Sequence, residues 1–206
     1  MRPDLEIISE WVQPGTRVLD LGCGDGTLLE HLRDTRQVTG YGLEIDDDNI
    51  TRCIERGVQV IQTDLDAGLA DFFDEDSFDY VVMTQTLQAV YYPASLLGEM
   101  LRVGREGIVT FPNIGHWQSR LHLALGGRMP ITRALPSDWY DTPNIHLCSL
   151  KDFEALCQHQ RITILERTAV DFEHRSSWGM RLLPNLLGEI ALYRFCRSPA
   201  QVNERK

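Results

Sequence analysis

The chain has 206 residues, 43% of them hydrophobic, and a formal net charge of −10, which suits one folded domain with a substantial core. Duplex nucleic acid and anionic membranes repel so acidic a chain at long range, so small molecules and proteins are the expected partners. The opening Met1-Arg2-Pro3-Asp4-Leu5 lacks a secretory apolar core and no apolar run reaches membrane-spanning length, so no membrane association is expected and a cytoplasmic location is.

The first predicted strand is Arg17 to Leu21, and the turn Gly22-Cys23-Gly24-Asp25-Gly26 follows it into a helix from Gly26 to Arg33. Glycines there let a backbone approach a ligand that any Cβ would push away, and N–H groups opening a helix are donors awaiting a partner. The spacing is G-x-G-x-G, with Thr27 where a dinucleotide site favours its third glycine. Asp20, just before the turn, would repel a pyrophosphate and welcome a cationic amino group. Both departures favour S-adenosylmethionine or S-adenosylhomocysteine, and the segment resembles the first motif of class I S-adenosylmethionine-dependent methyltransferases. Cys23 fills a place that needs a small side chain, which is a packing role.

Further strands are expected from Gln37 to Leu43, Val58 to Gln62, Phe78 to Met83 and Gly107 to Phe111, with helices from Asp47 to Arg56 and from Pro93 to Arg102. The alternation implies a parallel sheet with right-handed crossovers. Glu44 follows the second strand, where a carboxylate can accept both hydroxyls of a ribose, and Ile45 comes next. Asp64 and Leu65 follow the third strand; in the methyltransferase pattern they would meet the adenine amino group and frame the ring. The plain alternative for Asp64 is the cap of a short helix. Gln85, after the fourth strand, is a candidate contact for the amino-acid end of the ligand.

The rhythm breaks after Pro112. Residues 113–148 hold Gly126-Gly127, prolines and the aromatic residues Trp117, Trp139 and Tyr140, and they read as an insertion over the sheet. Ser149 then caps a helix through Phe153, Leu156 and Cys157. Strands from Ile162 to Glu166 and Glu189 to Phe195 close the pattern, joined by an apolar segment over 178–187 that fits either a core contact or a protein interface. The expected fold is a Rossmann-like α/β domain over 1–206: a mostly parallel seven-stranded sheet with an antiparallel edge strand and helices on both faces.

Methyl transfer needs an aligned nucleophile and, for a protonated one, often a base. No Asn/Asp-Pro-Pro-Tyr/Phe segment and no Pro-Cys pair is present. His116, Tyr140 and His146 are the weak candidates, and a structural or interfacial role is the stronger reading of each. The five cysteines form no C-x-x-C pair, so no disulfide framework and no metal site is expected.

From Phe111 the chain becomes specific. Phe111-Pro112-Asn113-Ile114-Gly115-His116-Trp117, Gly127-Arg128-Met129-Pro130, Leu135-Pro136 and Trp139-Tyr140-Asp141-Thr142-Pro143-Asn144-Ile145-His146-Leu147 resemble the MetW family of methionine biosynthesis proteins. So do the opening Arg2-Pro3-Asp4-Leu5 and the closing Ala191-Leu192-Tyr193-Arg194-Phe195. The resemblance implies a methyltransferase-like domain acting with a MetX-type homoserine O-acyltransferase. No G-x-S-x-G nucleophile elbow is present, so acylation would belong to that partner. Three functions follow as alternatives: a subunit that binds S-adenosylmethionine or its product and supports or regulates the acyltransferase; a methyltransferase acting on a small molecule; or a structural partner with a vestigial pocket.

Overall fold

The computed structural model describes residues 3–173 and 175–198; Arg2 of the opening motif lies outside them. Seven strands form one sheet: β1 (Arg17–Leu21), β2 (Thr39–Glu44), β3 (Val60–Gln62), β4 (Phe78–Thr84), β5 (Gly104–Pro112), β6 (Ile162–Val170) and β7 (Ile190–Arg197). Their order is β3-β2-β1-β4-β5-β7-β6. Pairing is parallel from β3 to β5, and β7 runs antiparallel to both β5 and β6. The reversed strand therefore lies one place in from the edge, and β6 is the edge strand.

All seven predicted strands are present, with shifted ends that have local causes. Gln37 adopts φ 56° and closes the preceding helix, donating its N–H to the Arg33 carbonyl at 3.1 Å, so β2 starts two residues after the expected Gln37. β5 starts at Gly104, three residues before the expected Gly107, because the fourth helix runs straight into it. A Cβ on Gly104 would lie 2.4 Å from Val81 Cγ2, which only glycine allows at that junction.

The helices are α1 (Pro3–Trp11), α2 (Thr27–Arg36), α3 (Asp47–Glu55), α4 (Pro93–Val103), α5 (Trp117–Gly126), α6 (Leu150–His159), α7 (Trp178–Leu182) and α8 (Pro184–Leu187). α1, α5, α7 and α8 are additions to the sequence reading. α1 has a legible signal, since Leu5, Ile8 and Val12 recur at helical spacing and are all buried. α5 has none, because only Ser119 of its ten residues is buried. Ser149 caps α6 as expected, in a reciprocal capping box with Asp152.

Alternation along each strand divides the core between the two faces of the sheet. Leu19, Leu21, Met83, Val109 and Tyr193 pack toward Leu97 and Met100 of α4 and Phe153 of α6. Val18, Val82, Ile108 and Leu192 pack toward Ile8 of α1 and Leu28 and Leu32 of α2. On the first face the Phe153 and Tyr193 rings stand 4.7 Å apart, and buried aromatic pairs like this add about 0.5–1.5 kcal/mol beyond their area. No helix among the described residues is long and apolar enough to cross a membrane.

Candidate functional site

The strand order determines which side chains meet. The C-terminal ends of β3, β2, β1 and β4 are consecutive along one edge, so Asp64, Glu44, the glycine turn and Gln85 follow one another across it. At about 4.8 Å per strand, this row covers about 14 Å. It also includes the switch point between β1 and β4, where the chain order reverses and ligands of open α/β sheets bind.

The turn is built for close approach. Gly22, Gly24 and Gly26 have φ of 70°, 55° and 78°, all in the left-handed region. They are not equivalent, however. A Cβ on Gly22 would lie 2.6 Å from Thr86 Oγ1 and one on Gly26 3.0 Å from Cys53 Sγ, whereas one on Gly24 would meet nothing within 4 Å. Gly24 is therefore the glycine that leaves open space above the turn. Asp20 is 1% exposed at the end of β1.

Four N–H groups of the turn have protein partners. Gly22 and Cys23 both donate to the Leu43 carbonyl, at 2.8 and 3.0 Å, and Gly26 donates to the Cys23 carbonyl. Gly24 donates to Glu44 Oε2 at 2.8 Å, and the other carboxylate oxygen accepts from the N–H groups of Ile45 and Asp46. A carboxylate offers about four lone-pair positions, so three bonds leave about one for a hydroxyl. Accepting two hydroxyls requires one N–H to be released, and Gly24 is the only donor of the three outside the turn after β2.

Asp64 caps a 3-10 turn at Leu65–Ala67, accepting from the Asp66 N–H at 2.9 Å. The capping alternative is thus realised, with one carboxylate oxygen left for another donor. Ile45 is 61% exposed and Leu65 is half-buried, an apolar pair at neighbouring strand ends. Gln85 adopts φ 57°, and Thr110 holds its N–H through both carbonyl and hydroxyl oxygens. Cys23 packs under the turn with its sulfur 3.8 Å from that of Cys53. Burial and the nearby Asp20 carboxylate push the Cys23 thiol up, so it is a filler and not a nucleophile.

The three weak candidates for a base are not gathered on one point. Tyr140 is exposed and donates to Asp138 at 3.4 Å, within the insertion. The His146 ring lies 3.3 Å from the Tyr91 carbonyl. His116 is buried at the start of α5, with no side-chain cap bond, and desolvation lowers its pKa, favouring the neutral ring. Among the described residues no cluster of His, Cys, Asp and Glu could hold a metal ion.

Four structural residues emerge that sequence reasoning missed. Buried Asn113, at the end of β5, donates to the Asn185 and Gly188 carbonyls at 3.1 and 2.7 Å and accepts from Gly115. It fastens the loop before α5 to α8. The Gln88 carbonyl accepts from Ile145 and His146 and pins the insertion to the loop after β4. Asp66 accepts from the N–H groups of Tyr91 and Tyr92 just ahead of α4. Arg56 pairs with Asp25 and Glu30, tying α3 to the glycine turn. Desolvation works against the Asp25 charge, but bonds from Thr27 and the Arg56 charge outweigh it and hold that carboxyl below its ordinary range.

Comparison with known proteins shows the family and the fold. The chain is similar to the bifunctional methionine biosynthesis protein MetXA/MetW of Rhodopirellula baltica, 37% identical over 203 residues that cover 94% of this chain and 32% of that one. It is also similar to the ubiquinone biosynthesis O-methyltransferase of Nitrosococcus oceani, 30% identical over 62% of this chain and 56% of that one. The chain thus spans about a third and about half of these two relatives. The S-adenosylmethionine-dependent methyltransferase of Mesorhizobium loti shares the fold, with a TM-score of 0.67 at 17% identity over 95% of this chain and 96% of that one. The model of the family described as methionine biosynthesis protein MetW matches residues 2–195, and the chain belongs to that family.

Proposed function

We propose that the chain binds S-adenosylmethionine or S-adenosylhomocysteine along the β3-β2-β1-β4 edge and serves as a subunit that supports or regulates a MetX-type homoserine O-acyltransferase. The observation that carries the ligand is the open space over Gly24, flanked by the buried carboxylates of Asp20 and Glu44. A Cβ would fill that space, and the surrounding groups match the ligand's parts.

Asp20 sets a negative field for the cationic amino group, with Gln85 beside it. Glu44 accepts from the ribose, releasing Gly24 if it takes both hydroxyls. Ile45 and Leu65 sandwich the adenine, and the free oxygen of Asp64 accepts from its amino group. When bound, S-adenosylmethionine supplies an electrophilic methyl group on a sulfonium.

Support for the partner comes from the Rhodopirellula baltica relative, whose name joins MetXA to MetW in one chain. Among the described residues His116, Tyr140 and His146 are not gathered at one point, which favours reading the ligand as an effector. Acyl transfer to homoserine by the partner, followed with and without this chain and across a range of S-adenosylmethionine, tests the proposal. An unchanged rate would refute it.

A second reading, methyl transfer to a small molecule, draws on the Nitrosococcus oceani relative and on a cavity of about 790 Å³ in the insertion, lined by Met129, Leu135, Trp139 and Ile145 among others. Consumption of S-adenosylmethionine in a metabolite extract by the chain alone would favour it.

A further inference from the structure

We infer that the groove between α5, α6 and the α7–α8 pair is the seat of an acidic, apolar-tipped segment of the homoserine O-acyltransferase; the inference rests on the partner reading above and adds the place and chemistry of contact. The groove encloses about 400 Å³, and its apolar lining comprises Leu150, Leu182, Leu183, Pro184 and Leu186. Leu182 and Leu183 are 60% and 55% exposed, and Trp178 beside them is 77% exposed. Contiguous apolar surface of this kind on a soluble chain marks an interaction site.

The helix on the other bank points the same way. α5 buries only Ser119, yet Trp117 and Leu121 lie one turn apart on the face that also carries Arg120, which lines the groove. Ten residues make a marginal helix in water, and an apolar one is stabilised by covering that face.

Charge identifies the occupant. The chain carries a net charge of −10, but the cations at this groove are Arg120, Lys151 and Arg167. Arg167 is neutralised by Glu154 at 2.8 Å, whereas Arg120 and Lys151 have no ion pair among the described residues. The groove is therefore a local positive site on an acidic surface. Two copies of this chain repel one another through their net charges of −10, and an acidic segment of a different protein is complementary to the groove. The Rhodopirellula baltica relative supplies that protein, since two thirds of its length lies beyond the part this chain matches.

The test titrates purified homoserine O-acyltransferase against the full chain and three variants, with circular dichroism melts as a check on folding. Arg120→Glu with Lys151→Glu, and separately Leu182→Ser with Leu183→Ser, should each weaken binding at least about tenfold, the charge pair also flattening its salt dependence. Ile54→Ser, at a 66% exposed apolar position on α3, should bind as the parent does. Parent-like binding by both groove variants would place the contact elsewhere and overturn the inference. Groove-dependent dimers of the chain in sedimentation would overturn it in favour of a second copy. Failure of the parent chain itself to bind would refute the acyltransferase reading on which the inference stands.

Discussion

Two alanine substitutions two positions apart should separate the glycine turn's structural duty from its ligand duty. Gly24→Ala and Gly22→Ala each place an L-residue at positive φ, 55° and 70°, which costs about 1–2 kcal/mol. At Gly24 nothing lies within 4 Å of the added Cβ, so that strain is the whole expected loss of stability. At Gly22 the Cβ meets Thr86 Oγ1 at 2.6 Å and Cγ2 at 2.8 Å. Thr86 must then turn away and give up its 3.1 Å bond to the Thr84 carbonyl, adding about 1 kcal/mol for the bond and about 1–3 for overpacking. Urea denaturation should therefore give a loss of about 1–2 kcal/mol for Gly24→Ala and about 3–6 for Gly22→Ala. Calorimetric titration with S-adenosylhomocysteine should rank a different effect: Gly24→Ala, though folded, should bind at least about tenfold more weakly, because its methyl occupies the open space. Parent-like affinity in Gly24→Ala would refute the placement of the ligand over that residue.

Other perturbations probe the remaining parts. Asn113→Asp keeps the acceptor for Gly115 but loses both donations to the Asn185 and Gly188 carbonyls, so urea denaturation should show a loss of about 2–4 kcal/mol; a loss under about 1 would mean that α8 is held by other contacts. Burial lowers the His116 pKa from an ordinary 6.5, so the unfolded state takes up the proton more readily and stability falls as pH drops below that value. His116→Gln should flatten the stability profile between about pH 7 and 5, and an unchanged slope would show that His116 is not kept neutral. Glu44→Gln should weaken S-adenosylhomocysteine at least about tenfold by removing a charged acceptor, and an unchanged affinity would exclude Glu44 from the ribose.

The proposed ligand edge was legible because its parts are local in sequence. A short β-branched run, a turn with glycines at fixed spacing and an acid at the next strand end are each contained in a few residues, and the alternation of strands and helices brings them to one edge. Ile45 and Asp64 followed from the same rule. What escaped notice depends on distance along the chain. Asn113 acts on carbonyls 72 and 75 residues away, and no local pattern announces an asparagine whose partners are backbone oxygens of a remote turn. The capture of Gly24 by Glu44 likewise follows from strand adjacency and not from either motif. α5 escaped for another reason: its leucines follow no buried stripe, because almost none of the helix is buried within this chain. The sequence leaves the apolar 178–187 segment open to a core contact or a protein interface; Trp178, Leu182 and Leu183 are exposed, whereas Leu186 and Leu187 are partly buried.

The most direct test is the rate of homoserine acylation by the purified acyltransferase at a fixed acyl-donor concentration, measured alone, with this chain, and with this chain plus S-adenosylmethionine or S-adenosylhomocysteine. The expected result is a rate that changes when the chain is added, changes again with the nucleoside ligand, and loses the second change with Glu44→Gln. A rate that is the same in all three conditions would contradict the account.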